Sequence, residues 1–376
     1  MKVRLGNYIN EYSVRNKNDE NIPVYSVTNT KGFCRDYFGK EVASKDKTTY
    51  KIVPRGYFAF NPSRINVGSV DWQRNEDRVI VSPLYNVFSV SPQLDQQYLY
   101  YYLKSDFVLQ RIRAVATGSV RDNLKLAMLY EFPIRLPSIE RQKEMAERLD
   151  KVKNVIALRE QEYQRLDELI KARFVELFGD PVSNPKGWEK KALSDEAEIK
   201  IGPFGSLLHK EDYIAGGHAL VNPSHIVDGK ILPDDKLTVS DEKYDELSAY
   251  HLRIGDVVMG RRGEMGRCAV VEQVGLLCGT GSLLIRTNGD LSADYIQKII
   301  SFPSFKRTIE DMAVGQTMSN LNVPIVSSFQ IIKPPKSVQD QYYSFVAQVD
   351  KSKAVIQKSL DEVQLLFDSL MQQYFG

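Results

Sequence analysis

One apolar repeat of 3.5 residues is written twice in this chain, 197 residues apart. Stepping alternately by four and three from Met145 gives Leu149, Val152, Ile156, Arg159, Tyr163, Leu166, Ile170, Arg173 and Leu177. Adding 197 to each gives Tyr342, Val346, Val349, Lys353, Ile356, Leu360, Val363, Phe367, Leu370 and Tyr374. Seventeen of these twenty positions are apolar, where a chain that is 43% hydrophobic would supply about nine by chance. A seam of this period lines one helix face and is buried only against another helix. Two matched seams in one chain are expected to pair with each other, antiparallel, because a whole domain separates them. Pairing with a second chain is the alternative. The 33 residues from Met145 to Leu177 make a seam roughly 50 Å long at the helical rise. B-DNA advances roughly 34 Å per turn, so two modules held at the ends would stand one to one and a half turns apart. Arg159, Arg173 and Lys353 interrupt the seam. Such positions either fix register at a cost in stability or lay their alkyl stems along it.

The repeat continues upstream without a gap. Tyr98, Ile112, Ala116, Gly118, Asn123 and Leu124 match Tyr295, Ile309, Ala313, Gly315, Asn320 and Leu321. Phe132, Ile134, Pro137 and Gln142 match Phe329, Ile331, Pro334 and Gln339, and both copies close on Phe-Gly. Farther upstream only Arg55-Gly56-Tyr57-Phe58 and Ile254-Gly255-Asp256-Val257 pair, at an offset of 199. Each front is rich in short apolar runs broken by Gly, Pro and Asn, which predicts strands, followed by a helix carrying Tyr98 or Tyr295, a loop, and a strand around Ile134 or Ile331. The predicted division is a first module over 1–136, a long helix over 137–179, a second module over 180–333 and a second long helix over 334–376. The stretch from Gly179 to Trp188 reads as a helix stop and linker.

Charge separates the modules. Residues 1–136 carry a net +7, 137–179 zero, 180–333 −4 and 334–376 −1. The first module can attract a polyanion unaided; the second needs local patches or a basic partner. No stretch reaches 18 consecutive apolar residues, and the opening Met1-Lys2-Val3-Arg4-Leu5 lacks a signal-peptide core, so a cytoplasmic protein with no membrane association is expected. Three scattered cysteines (Cys34, Cys268, Cys278) fit a reducing compartment. The four histidines show no zinc-ligand spacing, and no metal site is expected.

No catalytic constellation stands out. Asn61-Pro62-Ser63-Arg64 and Asn222-Pro223-Ser224-His225 lack the second proline and aromatic of the amine-holding motif in DNA amino-methyltransferases, and read as turns. Gly260-Arg261-Arg262-Gly263-Glu264-Met265-Gly266-Arg267 runs into a strand rather than a helix, and reads as a hairpin turn. A P-loop, a nuclease carboxylate–lysine set and a nucleophile signature are all lacking. The residues suited to nucleic acid are Asn61, Ser63, Arg64 and Arg121 in the first module, and Ser206, Arg261, Arg262 and Arg267 in the second. Amides and hydroxyls can read base edges, and arginine on a glycine-rich turn can approach phosphate or guanine. Lys40, Lys45, Lys47, Lys51, Arg55, Arg35, Arg74 and Arg78 add to the first module's basic surface.

The whole pattern resembles the specificity subunits of type I restriction–modification systems: variable module, helix, variable module, helix. Each helix is entered through Pro-x-x-x-x-Gln, here Pro137 to Gln142 and Pro334 to Gln339. Where the family often has Glu-Gln, this chain has Arg141-Gln142 and Asp340-Gln341. Lys186-Gly187-Trp188, Ile201-Gly202-Pro203-Phe204-Gly205-Ser206 and Gly255-Asp256-Val257-Val258-Met259 with Arg262-Gly263 and Gly266-Arg267 add to the likeness. The resemblance implies an α+β fold of two mixed α/β target-recognition domains joined by two long antiparallel coiled-coil helices, with a pseudo-twofold internal repeat. It implies a non-catalytic bacterial or archaeal subunit that reads a bipartite, asymmetric site on double-stranded DNA, one half per domain. Two methyltransferase subunits, which bind S-adenosylmethionine, would dock on the helices, and restriction subunits using ATP and Mg would join them. The chain itself would carry no cofactor. A self-sufficient methyltransferase or nuclease, and a protein-bridging adaptor that never touches DNA, are the rival readings.

Overall fold

The structure is a computed structural model that describes residues 2–35, 46–115, 123–313 and 320–376. The chain divides into two compact units: Met1–Gln164 with Ala354–Gly376, and Arg165–Lys353. Each combines strands, short helices and segments of both long helices, Ile139–Phe178 and Lys336–Phe375.

In the first unit four antiparallel strands run in the order Ile9–Glu11, Asn86–Val90, Phe58–Phe60, Val70–Trp72. A separate pair joins Lys2–Arg4 to Pro133–Arg135. The strands suit their sequences: Phe58, Phe60, Val70 and Phe88 are β-branched or aromatic and fully buried. The helix Gln96–Lys104 begins at Asp95, whose carboxylate accepts from the Tyr98 N–H at 2.9 Å. It buries Tyr98, Tyr101 and Tyr102, and each hydroxyl finds an acceptor. Tyr98 donates to Arg135 O (2.9 Å), Tyr102 to Pro133 O (2.9 Å) and Tyr101 to Asp150 Oδ1 (2.6 Å). Three tyrosines thus tie the helix to one strand and to the first long helix. The same core takes Met145, Ala146 and Leu149 from the start of the first long helix, and Tyr374 and Phe375 from the end of the second. The two helices are therefore antiparallel in this unit.

The second unit repeats this plan. Its sheet runs Ala197–Ile201, Ser282–Thr287, Val257–Gly260, Cys268–Val270, again antiparallel throughout. Glu189–Ala192 pairs with Gln330–Lys333. Ser292 caps the helix Ala293–Ile300 by accepting from the Tyr295 N–H, and Tyr295 donates to Ile332 O at 3.1 Å. Phe174 and Phe178 from the end of the first long helix pack with Tyr342 from the start of the second. Gly179, at φ +78°, ends the first long helix in the left-handed region. Trp188 then folds back, its Nε1 donating to Phe178 O at 3.0 Å.

Backbone bonds repeat even where the residues do not. Leu5 N donates to Phe132 O (2.9 Å) and Leu193 N to Phe329 O (2.8 Å). Gly56 and Gly255, both at positive φ, donate to Gln73 O and Val271 O. The Pro-x-x-x-x-Gln spacing acquires a physical reason: Gln142 Nε2 donates to Pro137 O at 2.9 Å, and Gln339 Nε2 to Pro334 O at 3.0 Å. The glutamine closes the first helical turn onto the short link between the preceding strand and the helix.

All twenty seam positions are buried or half-buried. Of the polar ones, Lys353 donates to Asp167 Oδ1 on the other long helix at 2.7 Å. Arg159 and Arg173 pair along their own helix with Glu162 and Glu176, and the Arg173 guanidinium lies 5.6 Å from the Phe345 ring centre.

The interval expected as helix, loop and strand holds further helices. Asp106–Val115 and Leu126–Tyr130 form in the first unit, and Pro303–Ala313 and Val323–Ser327 in the second. Short helices like these are set by packing rather than by propensity. Val108 and Ile112 point into one core, and Phe305 and Ile309, 197 residues on, into the other. Gly118 and Gly315 lie outside the described residues.

Candidate nucleic-acid interface

In the first unit the strand Phe58–Phe60 leaves the sheet into the turn Asn61-Pro62-Ser63-Arg64. Asn61 Oδ1 accepts from the Ser63 N–H at 3.1 Å, and Arg64 N donates to Asn61 O at 3.0 Å. These are the local bonds that asparagine uses to build turns. The Ser63 hydroxyl donates to Asn123 Oδ1 at 2.6 Å, and Leu124 N donates to Pro62 O at 3.1 Å. Beside the turn lies a polar cavity of about 180 Å³, lined by Thr28, Asn29, Asn61, Arg64, Ser69 and Tyr85 among others. Burial pushes the Tyr85 hydroxyl above its ordinary range, so it stays a neutral donor and acceptor.

The broad basic surface expected of this module is largely spent internally. Arg35 pairs with Glu76, Arg55 with Asp77, Arg74 with Asp71 and Arg78 with Glu20. Lys51 donates to Tyr85 O at 2.7 Å. Arg64 is exposed and forms no ion pair or side-chain hydrogen bond among the described residues. Arg121, Lys40 and Lys45 lie outside the described residues.

In the second unit the equivalent strand, Val257–Gly260, leaves the sheet into the glycine-rich turn, which returns as Cys268–Val270, so the expected hairpin forms. Arg261 is bound into its surroundings. Its Nε donates to Leu321 O at 3.0 Å, and its own carbonyl accepts from Leu321 N at 3.0 Å. Burial, then the neighbouring Arg262 charge, pulls its pKa below the ordinary arginine value. Arg267 donates to Pro223 O at 3.2 Å and forms an ion pair with Glu264 at 2.9 Å. Arg262 is exposed, with no ion pair or side-chain hydrogen bond among the described residues. Asn222-Pro223-Ser224-His225 packs under this turn. Asn222 Oδ1 accepts from Gly281 N at 3.3 Å, and a Cβ on Gly279 would lie 2.3 Å from that oxygen. Ser206 sits exposed on a one-turn helix, Gly205–Leu207.

The two sites thus share a construction. In each, a turn follows the same sheet strand, and the backbone N–H of Leu124 or its repeat mate Leu321 holds it down. In each, one arginine of the turn, Arg64 or Arg262, remains exposed and unpaired among the described residues.

A family model described as the type I restriction modification DNA specificity domain matches residues 2–168 and again 185–365. The chain belongs to this family. Among curated proteins it is similar to the Type I restriction enzyme MjaIX specificity subunit of Methanocaldococcus jannaschii, 22% identical over 299 residues, which cover 73% of this chain and 67% of that one. The MjaVIII specificity subunit of the same organism is 30% identical over 78 residues, 21% of this chain and 18% of that one. Among solved structures, a chain reported for the complex assembly and conformational transition of the type I R-M system matches with a TM-score of 0.66 at 17% identity. That match covers 100% of this chain and 97% of that one. The type I S subunit from M. genitalium matches with a TM-score of 0.55 at 14% identity, covering 100% and 96%. At these identities the structural matches speak for the fold, and they agree with the expected pair of mixed α/β modules and long helices.

As a member of the specificity family the chain recognises DNA in a type I system. Residues that sequence reasoning passed over also face the second turn. Lys306 donates to Glu264 Oε1 at 2.9 Å from the helix Pro303–Ala313, about 40 residues along the chain from the turn. Lys298 shares a cavity with both. Lys306 lies on a helix that the sequence pattern did not predict, and Lys298 on the predicted helix was not singled out.

Proposed function

We propose that each unit reads one half of a bipartite, asymmetric DNA site, that the long helices set the spacing, and that two methyltransferase subunits dock on the protein. The observation that carries the half-site reading is the doubled turn. Two equivalent strands end in turns of unlike composition, Asn-Pro-Ser-Arg against Gly-Arg-Arg-Gly, each presenting one unpaired arginine. A common scaffold with unlike tips is the arrangement needed to read two different sequences with one geometry. Asn61, Ser63 and Arg64, with Arg121, are the base- or backbone-contacting residues of the first unit; Ser206, Arg261, Arg262 and Arg267 are those of the second. Arg261 acts through the shape of its turn, and Arg262 is the side chain that reaches out.

Support for two docked partners is a groove present in each unit at repeat-related positions. In the second unit it is lined by Ile170, Phe174, Val175, Ser301 and Phe302. In the first it is lined by Phe367, Met371, Gln372, Lys104 and Ser105, each of which is 197 residues from its counterpart. The partners would supply S-adenosylmethionine-dependent adenine methylation, and restriction subunits would supply ATP- and Mg-dependent cleavage. Transplanting residues 188–333 from a relative of different specificity is the test. One half of the methylated site should change and the other should persist; a change in both halves would defeat the modular reading.

A further inference from the structure

Residues 180–333 carry a net −4, yet one wall of the second unit gathers cations. Beside the glycine-rich turn lies an open cavity of about 390 Å³, lined by Asp228, Glu264, Arg267, Gln297, Lys298 and Lys306 among others. Its three cations come from three elements: the turn, the helix Ala293–Ile300 and the helix Pro303–Ala313. Glu264 stands between two of them, accepting from Lys306 Nζ and Arg267 Nη2, each at 2.9 Å. These bonds hold its carboxyl below the usual carboxylate range, Lys306 contributing first. Lys298 is exposed and makes no ion pair among the described residues. Gln297 is only 8% exposed, and its side-chain amide makes no hydrogen bond among the described residues. The turn is shaped around this cluster. Gly266 has φ +74°, and a Cβ there would lie 2.7 Å from Lys306 Cγ and 2.9 Å from Ile300 O. Any side chain at 266 would push the lysine stem off the wall.

We propose that this cavity binds one phosphodiester of the DNA backbone, held by Arg267, Lys298, Lys306 and the Gln297 amide, with Glu264 as the internal anion that the phosphate displaces. The proposal rests on the DNA-reading function above and deepens it. Glu264 spends one oxygen on Arg267 and the other on Lys306, whereas the two non-bridging oxygens of a phosphodiester seated in the cavity can face Lys298 and the Gln297 amide as well. The ion pairs broken are partly exposed, each worth little in water, so exchanging Glu264 for phosphate is cheap. Release of counterions from DNA supplies the drive. The wall would position the duplex against the turn while leaving base readout to Arg262.

The test titrates the full chain, together with its co-purified methyltransferase, against a fluorescent duplex of random sequence between about 50 and 200 mM salt. Lys298→Gln and Lys306→Gln should each flatten the dependence of log K on log salt by about 0.9. The wild-type advantage over each variant should then grow about 3.5-fold from the high to the low end of that range. Glu264→Gln should tighten binding, because it removes the competing anion and frees two cations. Since Lys306→Gln also breaks an ion pair, acetylation footprinting of the wild-type complex with and without duplex gives an independent reading: adding duplex should protect Lys306, which, unlike Lys298, does not line the proposed docking groove. Binding by wild type with unchanged slopes in both variants and no Lys306 protection overturns the phosphate site alone. Failure of the wild-type complex to bind any duplex overturns the site and the DNA-reading function together.

Discussion

Gln142 and Gln339 occupy the same repeat position and are 0% and 1% exposed, but their side chains are unequally engaged. Gln142 Nε2 donates to Gln93 O (3.0 Å) and Pro137 O (2.9 Å), while its Oε1 accepts from Asp95 N (2.9 Å). It therefore satisfies one backbone donor and two backbone acceptors where a long helix meets the cap of Gln96–Lys104. Gln339 makes the single bond to Pro334 O, and its Oε1 is buried with no partner among the described residues. Methionine nearly matches glutamine in length and removes both polar atoms. Leaving a buried polar group unsatisfied costs about 1–3 kcal/mol. Three groups at the low end of that range put Gln142→Met at about 3–5 kcal/mol. Gln339→Met loses one bond but also relieves one buried, unpaired oxygen, for a net change within about 1 kcal/mol of zero. A global melting curve would mix two units and obscure the comparison. Native-state hydrogen exchange resolves it, with the Ala59 amide reporting the first unit and Val258 the second, both on central strands. The Gln142 variant should speed exchange at Ala59 by at least about a hundredfold, and the Gln339 variant should alter Val258 by less than about tenfold. Equal effects, or a larger one at Gln339, would refute the assignment of cost to unsatisfied backbone groups.

Three further outcomes follow from the geometry. Asp256, whose side chain is 3% exposed, grips Arg286 with two bonds of 2.9 and 2.7 Å and also accepts from Arg253 N; Asp256→Ala should cost the second unit about 3–5 kcal/mol, and a loss below about 1 kcal/mol at the Val258 amide would be incompatible with a structural ion pair. Lys353→Leu replaces a charge in the seam while its partner Asp167 keeps 45% of its side chain in solvent; the second unit should gain about 1 kcal/mol, and a drop in exchange protection would contradict that. Burial, partly offset by Asp71, pushes Lys104 down to about 8. An unfolded lysine keeps its proton to about 10.4, so the unfolded state binds more protons between those values and stability should rise with pH from about 8 to 10. Above about 10 the trend should reverse, because burial raises Tyr98, Tyr101 and Tyr102 and holds them protonated only while folded. Lys104→Met should shrink the rise, leaving the part that comes from Lys51, which burial also lowers, and should keep the fall, as read by Ala59 exchange across that range.

The helices and the rear of each unit were legible in the sequence, because their packing demands particular residues. A heptad seam shows wherever its phase is kept. Tyr98 and Tyr295 recur because each must fill a core and also reach a strand carbonyl, which few other side chains can do. The fronts were legible as strands and, at the glycine-rich turn, as a hairpin, but most of their equivalence was not, because strand pairing is a backbone interaction. Phe58 opposite Phe88 and Val257 opposite Ile285 hold the same register with no residue in common. The spacing also drifts: Gly56 and Gly255 match at 199, as their sequence shows, but Leu5 and Leu193 are equivalent at an offset of 188, which no residue pattern marks. The second unit further carries a small sheet built around His218–Val221, Thr238–Val239 and Leu277–Cys278. Lys298 and Lys306 escaped notice for a related reason. Sequence reasoning looked for cations beside other cations, and these two approach the turn from separate helices.

The same physics explains why the tips can differ while the scaffold does not. Each turn is held by a main-chain bond, Leu124 N to Pro62 O or Leu321 N to Arg261 O. Each anchoring leucine is buried at 0% exposure and fixed by packing. That bond joins main-chain atoms on both sides, and the side-chain bonds beside it differ, Ser63 to Asn123 in one unit and Arg261 to Leu321 O in the other, so an asparagine–proline turn and a double-arginine turn can sit on the same main-chain attachment. Substitution at the tip should then change what is contacted without moving the strand behind it. Substitution of Leu124 or Leu321 to alanine should instead cost about 2–5 kcal/mol and loosen the turn whatever its composition. A tip change that destabilised its unit as much as the leucine change would mean that the turn is part of the core, and the separation of scaffold from reader would fail at that position.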